Sequence, residues 1–170
     1  ELIEKDLPQF DKMKIPVVLG KDISGDAQLL DLATTPDLLI AGSTGSGKSV
    51  CVNSMILSIL YKRSPKDVKM ILIDPKIVEL KLYNDIPHLL TPVITEPKKA
   101  FQALQYCLCE MERRYAMLDH MGVRDIATYN KRIKERQICQ EKMPYIVVII
   151  DEFADLMATT GKELESTVAR

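Results

Sequence analysis

The 170-residue sequence predicts an α/β fold, a mainly parallel β-sheet flanked by helices. Three observations predict it. Short apolar runs alternate with helical segments, the pattern of strands joined by crossovers. A glycine-rich stretch, "GSTGSGKS" from Gly42 to Ser49, lies between one such run and a helix. Another run, Tyr145 to Ile150, ends in the acidic pair Asp151-Glu152.

The elements follow in order. Ile15 to Leu19, then Gly20 and Ser24-Gly25, read as a strand and a turn. Leu38 to Ala41 follows Pro36-Asp37 and reads as a short buried strand. Ser49 to Tyr61 reads as a helix ended by Ser64-Pro65. Lys69 to Ile73 is a second buried strand, stopped by Asp74-Pro75. Between Ile77 and Thr95, Pro87 and Pro92 exclude a long helix. Phe101, Leu104, Leu108, Met111, Tyr115 and Leu118 recur at spacings of three and four, which gives a helix one apolar face. That face is too short for a sustained coiled coil, so packing against a sheet is expected. Gly122 ends this helix. Asp125 to Ile138 is a further, basic helix carrying Lys131, Arg132, Lys134 and Arg136, read as a solvated face with a DNA-binding patch as the alternative. Tyr145 to Ile150 is a third buried strand. Leu164 and Val168, four apart, continue a helical pattern.

Composition sets bounds. Hydrophobic residues make up 46%, charged residues 28%, and the net charge is −1. This is an ordinary globular balance with no polybasic arm or acidic tail. The four cysteines, Cys51, Cys107, Cys109 and Cys139, form no Cys-x-x-Cys pair, and His88 and His120 are far apart. Reduced thiols are expected rather than a structural zinc site. No apolar run is long enough to cross a bilayer, and no signal peptide is visible. The chain begins without methionine and stops inside a helical pattern, so it is read as a piece of a longer protein.

"GSTGSGKS" fits Gly-x-x-x-x-Gly-Lys-Ser/Thr at Gly42, Gly47, Lys48 and Ser49. A Gly/Ser linker would lie in polar surroundings; this stretch lies between two apolar segments. In a phosphate loop, the backbone of Gly42, Ser43, Thr44, Gly45, Ser46 and Gly47 curls so that successive N–H groups face phosphate oxygens. The helix that follows adds a partial positive charge at its N-terminus. Lys48 supplies a full charge toward the β and γ phosphates. Ser49 offers a hydroxyl oxygen to Mg²⁺, which prefers oxygen ligands.

Asp151 and Glu152 follow an apolar strand, which places carboxylates at the C-terminal edge of the sheet, where open α/β sheets bind ligands. Asp151 is the candidate metal acid, acting through water, and Glu152 the candidate base that polarises the attacking water. A helix-capping acid is the plainer reading of Glu152. GTPases carry Asn-Lys-x-Asp; here Asn130-Lys131-Arg132-Ile133 lacks the aspartate. A small-molecule kinase needs no acid that activates water. The local chemistry points to hydrolysis of ATP with Mg²⁺. Lys76, in Asp74-Pro75-Lys76 at the same edge, is read as facing nucleotide or a neighbouring subunit, or as a plain surface lysine. Residues 1–35 form a strand and hairpin lead-in, and residues 36–170 a P-loop ATPase core.

Six segments, "GSTGSGKS", "IDPK", "IPHLLTPVIT", "EMERRY", "GVRDIATYN" and "IDEFADLM", together resemble the motor domain of the FtsK/SpoIIIE DNA translocases. The resemblance covers about Leu7 to Arg170. It implies a RecA-like P-loop NTPase fold, C-terminally incomplete here, and a homo-hexameric ring that pumps double-stranded DNA in bacterial chromosome segregation at division. It implies a cytoplasmic motor whose parent carries an N-terminal anchor in the inner membrane at the septum, and a C-terminal winged helix. It carries Gly42 to Ser49 over as the nucleotide loop, and Asp151 and Glu152 as the metal and hydrolysis acids. It places a sensor strand and a trans-acting arginine beyond Arg170, so the isolated segment is expected to be nearly inactive. A secretion or conjugative-coupling ATPase of the same superfamily, and a nucleotide-binding regulatory module, are the other readings of the same site chemistry.

Overall fold

Hydroxyl side chains hold the first strand to its helix. The computed structural model describes residues 1–4, 7–35 and 37–170, with only the backbone of Thr160. The residues form two compact units, Glu1–Val68 and Lys69–Arg170.

In the first unit a short helix, α1 (Pro8–Lys12), precedes an antiparallel hairpin of β1 (Pro16–Lys21) and β2 (Ala27–Asp31). The register shifts between Val18 and Gly20, a bulge. Helix α2 (Lys48–Lys62) buries Met55, Ile56 and Ile59, while β1 buries Val17 and Val18. Val18 N–H donates to Ser58 Oγ at 3.0 Å, and Ser54 Oγ donates to Val18 O at 2.9 Å. Two serines one turn apart thus satisfy both backbone groups of a buried strand residue, which would otherwise cost a few kcal/mol (~1–3 each). Beyond α2, Arg63 ties down the chain around α1. Its guanidinium donates to Phe10 O at 2.7 Å, Lys14 O at 3.1 Å and Met13 O.

Leu38 to Ala41 is not a strand. The segment has no regular structure, and Leu38 and Leu39 are exposed, Leu39 at 84%. An apolar run becomes a strand only where a neighbouring backbone takes its N–H and C=O groups, and composition does not reveal that neighbour. Pro36, expected to introduce it, lies outside the described residues.

In the second unit β3 (Val68–Ile73) is the organising strand. It pairs in parallel with β4 (Tyr145–Ile150). On its other side it takes parallel bridges from Met70 to Leu89 and from Ile73 to Ile94. Bonding on both sides explains its burial: Val68, Met70 and Leu72 are fully buried. Strand β4 is half-buried throughout rather than buried as its composition predicts. Its side chains Ile146, Val148 and Ile150 lie at the margin of the core of Ile71, Ile73, Ile94, Ala100, Leu104, Leu156 and Leu164.

Helix α3 (Pro97–Met121) covers that core and ends at Gly122, whose left-handed backbone (φ 70°) lets Val123 N–H reach Leu118 O at 3.0 Å. Its apolar face is as predicted except at Tyr115, which is 62% exposed. The inward place there belongs to Arg114, whose guanidinium is satisfied by Glu110 at 2.9 Å and Pro144 O at 2.6 Å. Helix α4 (Ile126–Glu135) is capped by Asp125, which accepts Thr128 N–H at 2.7 Å. It stops three residues before the predicted Ile138, because Gln137 turns left-handed (φ 49°) and Ile138 N–H bonds back to Ile133 O. Tyr129 and Ile133 pack with Leu118, Val123 and Met143 in a second cluster. Of its basic residues, Arg132 donates to Met121 O and Lys131 pairs with Glu135, while Lys134 and Arg136 are exposed. Asn130 pairs with both backbone groups of Met143, at 2.7 and 2.8 Å, and so steers the chain into β4. Helix α5 (Phe153–Val168) kinks at Gly161.

The pair of arginines around Glu110 generates a pH dependence. Hydrogen bonds from Arg113 come first in holding the Glu110 carboxyl at about 2, against an ordinary 4.5; burial opposes them and Arg114 adds to them. A depressed carboxyl stabilises the fold above its unfolded pKa, and that stability is lost as pH falls from about 4.5 toward 2. The full shift corresponds to ~3 kcal/mol. Arg113 is 56% exposed, and solvent screening reduces this to about 1 kcal/mol. We expect Glu110→Gln to lower stability by that amount at pH 7 and to match the parent near pH 2, measured by urea unfolding across pH. A difference that does not change with pH contradicts this origin.

Candidate functional site

The phosphate-loop residues lie in the first unit. Gly42 to Gly47 are exposed, and Lys48 and Ser49 are half-buried at the start of α2. Ser46 N–H donates to Ser43 O at 3.0 Å, closing a turn. Gly45 (φ 80°) and Gly47 (φ 93°) are the loop glycines held in a left-handed backbone, and Gly42 is closely approached by a side chain. A Cβ on Gly42 would lie 2.1 Å from Ser46 Oγ and 3.1 Å from Ser46 Cβ. Gly47 is the N-cap residue of α2 with φ 93°, a left-handed backbone that a side chain strains. Gly47 also brings no capping side chain, and the first turn of α2 has no acidic residue. The helix N-terminus therefore keeps its positive partial charge for an anion. Among the described residues no group of three or more His, Cys, Asp or Glu side chains could hold a metal ion by itself.

The acids lie in the second unit, at the C-terminal ends of β3 and β4. Asp151 is buried at 9% exposure, and its N–H donates to Ile73 O at 2.9 Å. This bond carries the β3–β4 pairing to the last residue before the acids. Glu152 is half-buried and adopts a left-handed backbone (φ 56°, ψ 58°) as the N-cap of α5, without a side-chain capping bond. A non-glycine residue there costs about 1 kcal/mol or more, and such conformations persist where the surroundings over-determine them. Glu152 is thus an acid at a helix N-terminus that does not cap the helix with its own side chain.

Asp74 and Lys76 occupy the neighbouring strand end. Asp74 is fully buried. Its Oδ2 accepts the N–H groups of Val78, Glu79 and Leu80, each at 3.0 Å, and its Oδ1 is buried with no hydrogen-bond partner. Lys76 Nζ lies 3.3 Å from Asp155 Oδ2 and 3.9 Å from Glu152 Oε2. The sequence places Lys76 at this edge but does not name its partners, Glu152 and Asp155. The signal was present in "DEFAD": Glu152 and Asp155 are three apart, so a helix beginning at Phe153 brings both carboxylates to one side.

The FtsK/SpoIIIE family model matches residues 1–170. The chain belongs to the FtsK/SpoIIIE family. Within the family, it is 66% identical over its whole length to a protein of Treponema pallidum named DNA translocase FtsK, and covers 21% of that protein. It is 60% identical, over 92% of its length, to a Borreliella burgdorferi protein of the same name, covering 20% of it. The chain thus spans about a fifth of these curated relatives. Among solved structures it resembles the cytoplasmic domain of the Thermomonospora curvata type VII secretion ATPase EccC, with a TM-score of 0.79 and 25% identity over 99% of this chain and 20% of that one. It also resembles the pCW3 conjugation coupling protein TcpA, described with ATPγS, with a TM-score of 0.73 and 30% identity over 97% of this chain and 44% of that one. These neighbours are P-loop ATPase domains, and the fold is RecA-like, as expected from the sequence.

The clash at Gly42 yields a prediction. Gly42→Ala should weaken binding of a fluorescent ATP analogue severalfold, because its Cβ forces the Ser46 hydroxyl to rotate and Ser46 to give slightly. Adding Ser46→Gly should recover much of that loss, because it removes both atoms the new Cβ meets. Equal losses in the single and double variants would show that the Gly42–Ser46 approach is not what shapes the loop.

Proposed function

We propose that this chain is the ATP-hydrolysing motor segment of a double-stranded DNA translocase that serves bacterial chromosome segregation and cell division. The observation that carries the reading is 66% identity, over the whole chain, to a protein named for DNA translocation, joined to a glycine loop with left-handed Gly45 and Gly47 that leads into the uncapped N-terminus of α2. In the full-length protein the motor acts as a homo-hexamer around the duplex, on the cytoplasmic side, and a membrane anchor outside these residues tethers it at the septum. No helix among the described residues is long and apolar enough to cross a membrane.

The roles divide by chemistry. The backbone N–H groups of Gly42 to Gly47 and the N-terminus of α2 hold phosphate oxygens. Lys48 neutralises the β and γ phosphates. Ser49 and Asp151 are the oxygen donors for Mg²⁺, which when bound offsets phosphate charge. Glu152 takes a water proton as the water attacks, acting as general base. Force passes to elements that grip the DNA backbone, so binding is salt-sensitive and largely independent of sequence. The likeness to EccC and TcpA supports a second reading, a secretion or coupling ATPase. The two part on stimulation by DNA.

The tests use the full-length protein. Steady-state phosphate release should rise at least severalfold on adding duplex DNA at low salt; no stimulation would favour the second reading. Lys48→Ala should abolish productive ATP binding. Glu152→Gln should bind Mg-ATP normally and turn it over at least a hundredfold more slowly, because the amide cannot accept the proton. Asp151→Asn should instead weaken the Mg²⁺-dependent part of binding, read by calorimetric titration with and without Mg²⁺. Equal loss of binding in both acid variants would mean that the two roles are misassigned.

A further inference from the structure

Lys76 is fixed from behind. Asp74, two residues earlier, is fully buried, and its carboxylate gathers the N–H groups of Val78, Glu79 and Leu80. Asp74 N–H is bonded to Ile94 O at 2.8 Å, and Ile77 N–H to Asp74 O at 3.2 Å. Leu80 is fully buried, and Ile77 is held left-handed at φ 57°, a conformation a β-branched residue adopts only under constraint. The turn that presents Lys76 is therefore rigid.

Glu152 is fixed too, through the Asp151 bond to Ile73 and its own left-handed backbone. Between these two anchored backbones the side chains are the soft coordinate. The Lys76 ammonium bridges two carboxylates on one helical turn, with the shorter contact to Asp155. Asp155 thus sets the position of the ammonium, and the ammonium draws the Glu152 carboxylate toward it. Without that charge, Glu152 and Asp155, three residues apart at the start of α5, are left as two like charges that repel each other.

We propose that Lys76 is a positioning residue for Glu152: anchored by Asp155, it holds the Glu152 carboxylate in the orientation from which it acts on water. This rests on the reading of Glu152 as the hydrolytic base. The Lys76–Asp155 pair belongs to neither the phosphate loop nor the metal donors, so its loss reaches the rate through Glu152 and leaves nucleotide binding intact.

The test is ATP turnover by the full-length protein with saturating duplex DNA. In Lys76→Met, kcat should fall about tenfold, the scale on which misplacement of a reacting group acts, while KM for Mg-ATP stays within about twofold. Lys76→Arg should retain most of the rate, because it keeps the charge. Asp155→Asn should give a smaller loss in the same direction. Adding Lys76→Met to Glu152→Gln should lower the residual rate no further, since a residue acting through Glu152 has nothing left to position. An unchanged kcat in Lys76→Met, a loss expressed in KM alone, or a further loss on the Glu152→Gln background overturns the proposal. A normal rate in Glu152→Gln takes down the underlying reading together with this one. A normal rate in Lys76→Met beside a silent Glu152→Gln overturns this one alone.

Discussion

Strand β3 is bonded along both edges, and the placement of the acids follows from that constraint. On one edge Met70 N–H reaches His88 O at 2.8 Å, and Leu90 and Ile94 N–H return to Met70 O and Leu72 O. On the other, β4 pairs with it up to Asp151 N–H on Ile73 O. Each such bond contributes about 1 kcal/mol net, but leaving a buried partner unmade costs more. The ladder therefore resists slipping by even one residue, and a one-residue slip would reverse every side chain on the strand. Asp74 and Lys76 must leave β3 beside the point where Asp151 and Glu152 leave β4.

The strand ends collect negative charge: Asp74, Asp151, Glu152 and Asp155. Burial of Asp74 is offset by three N–H donors, an arrangement that stabilises a carboxylate where water cannot. The half-buried acids Glu152 and Asp155 are offset by Lys76. The phosphate loop solves the opposite problem. Its backbone N–H groups lead to a helix N-terminus without an acid in the first turn, and Gly45 and Gly47 there adopt left-handed backbones that favour glycine. One element leaves a helix N-terminus free of acids and the other gathers carboxylates around one lysine.

Much of this was legible in the sequence, for physical reasons that differ by element. Helices α2 and α3 and strands β3 and β4 were predicted to within a few residues because periodicity and punctuation agree there: Ser64-Pro65, Asp74-Pro75 and Gly122 each end an element as their backbone chemistry requires. The start of α2 at Lys48 was legible because Gly-x-x-x-x-Gly-Lys-Ser places a helix directly after its second glycine. Leu38 to Ala41 was not, since a strand depends on a partner that composition does not name. Tyr115 was assigned to the apolar face because an arginine was not counted as an inward residue, although Arg114 buries its stem once Glu110 and Pro144 O satisfy its head. The end of α4 turned on a left-handed Gln137, which no residue preference signals. The pairing of Lys76 with Glu152 joins residues far apart in sequence, and only the β3–β4 register brings them together.

The central claim is that the β3 ladder, carried through to Asp151, fixes the acids. Hydrogen exchange of the full-length protein tests it most directly, by following the amides of Asp74 and Asp151 against those of Ile71 and Leu72. The account predicts that Asp74 and Asp151, bonded to Ile94 O and Ile73 O, exchange in the slow class of the buried strand, opening only with the core. Fast exchange at Asp151 while Ile71 and Leu72 stay protected would mean that the strand end is loose, and that something other than the ladder positions Glu152.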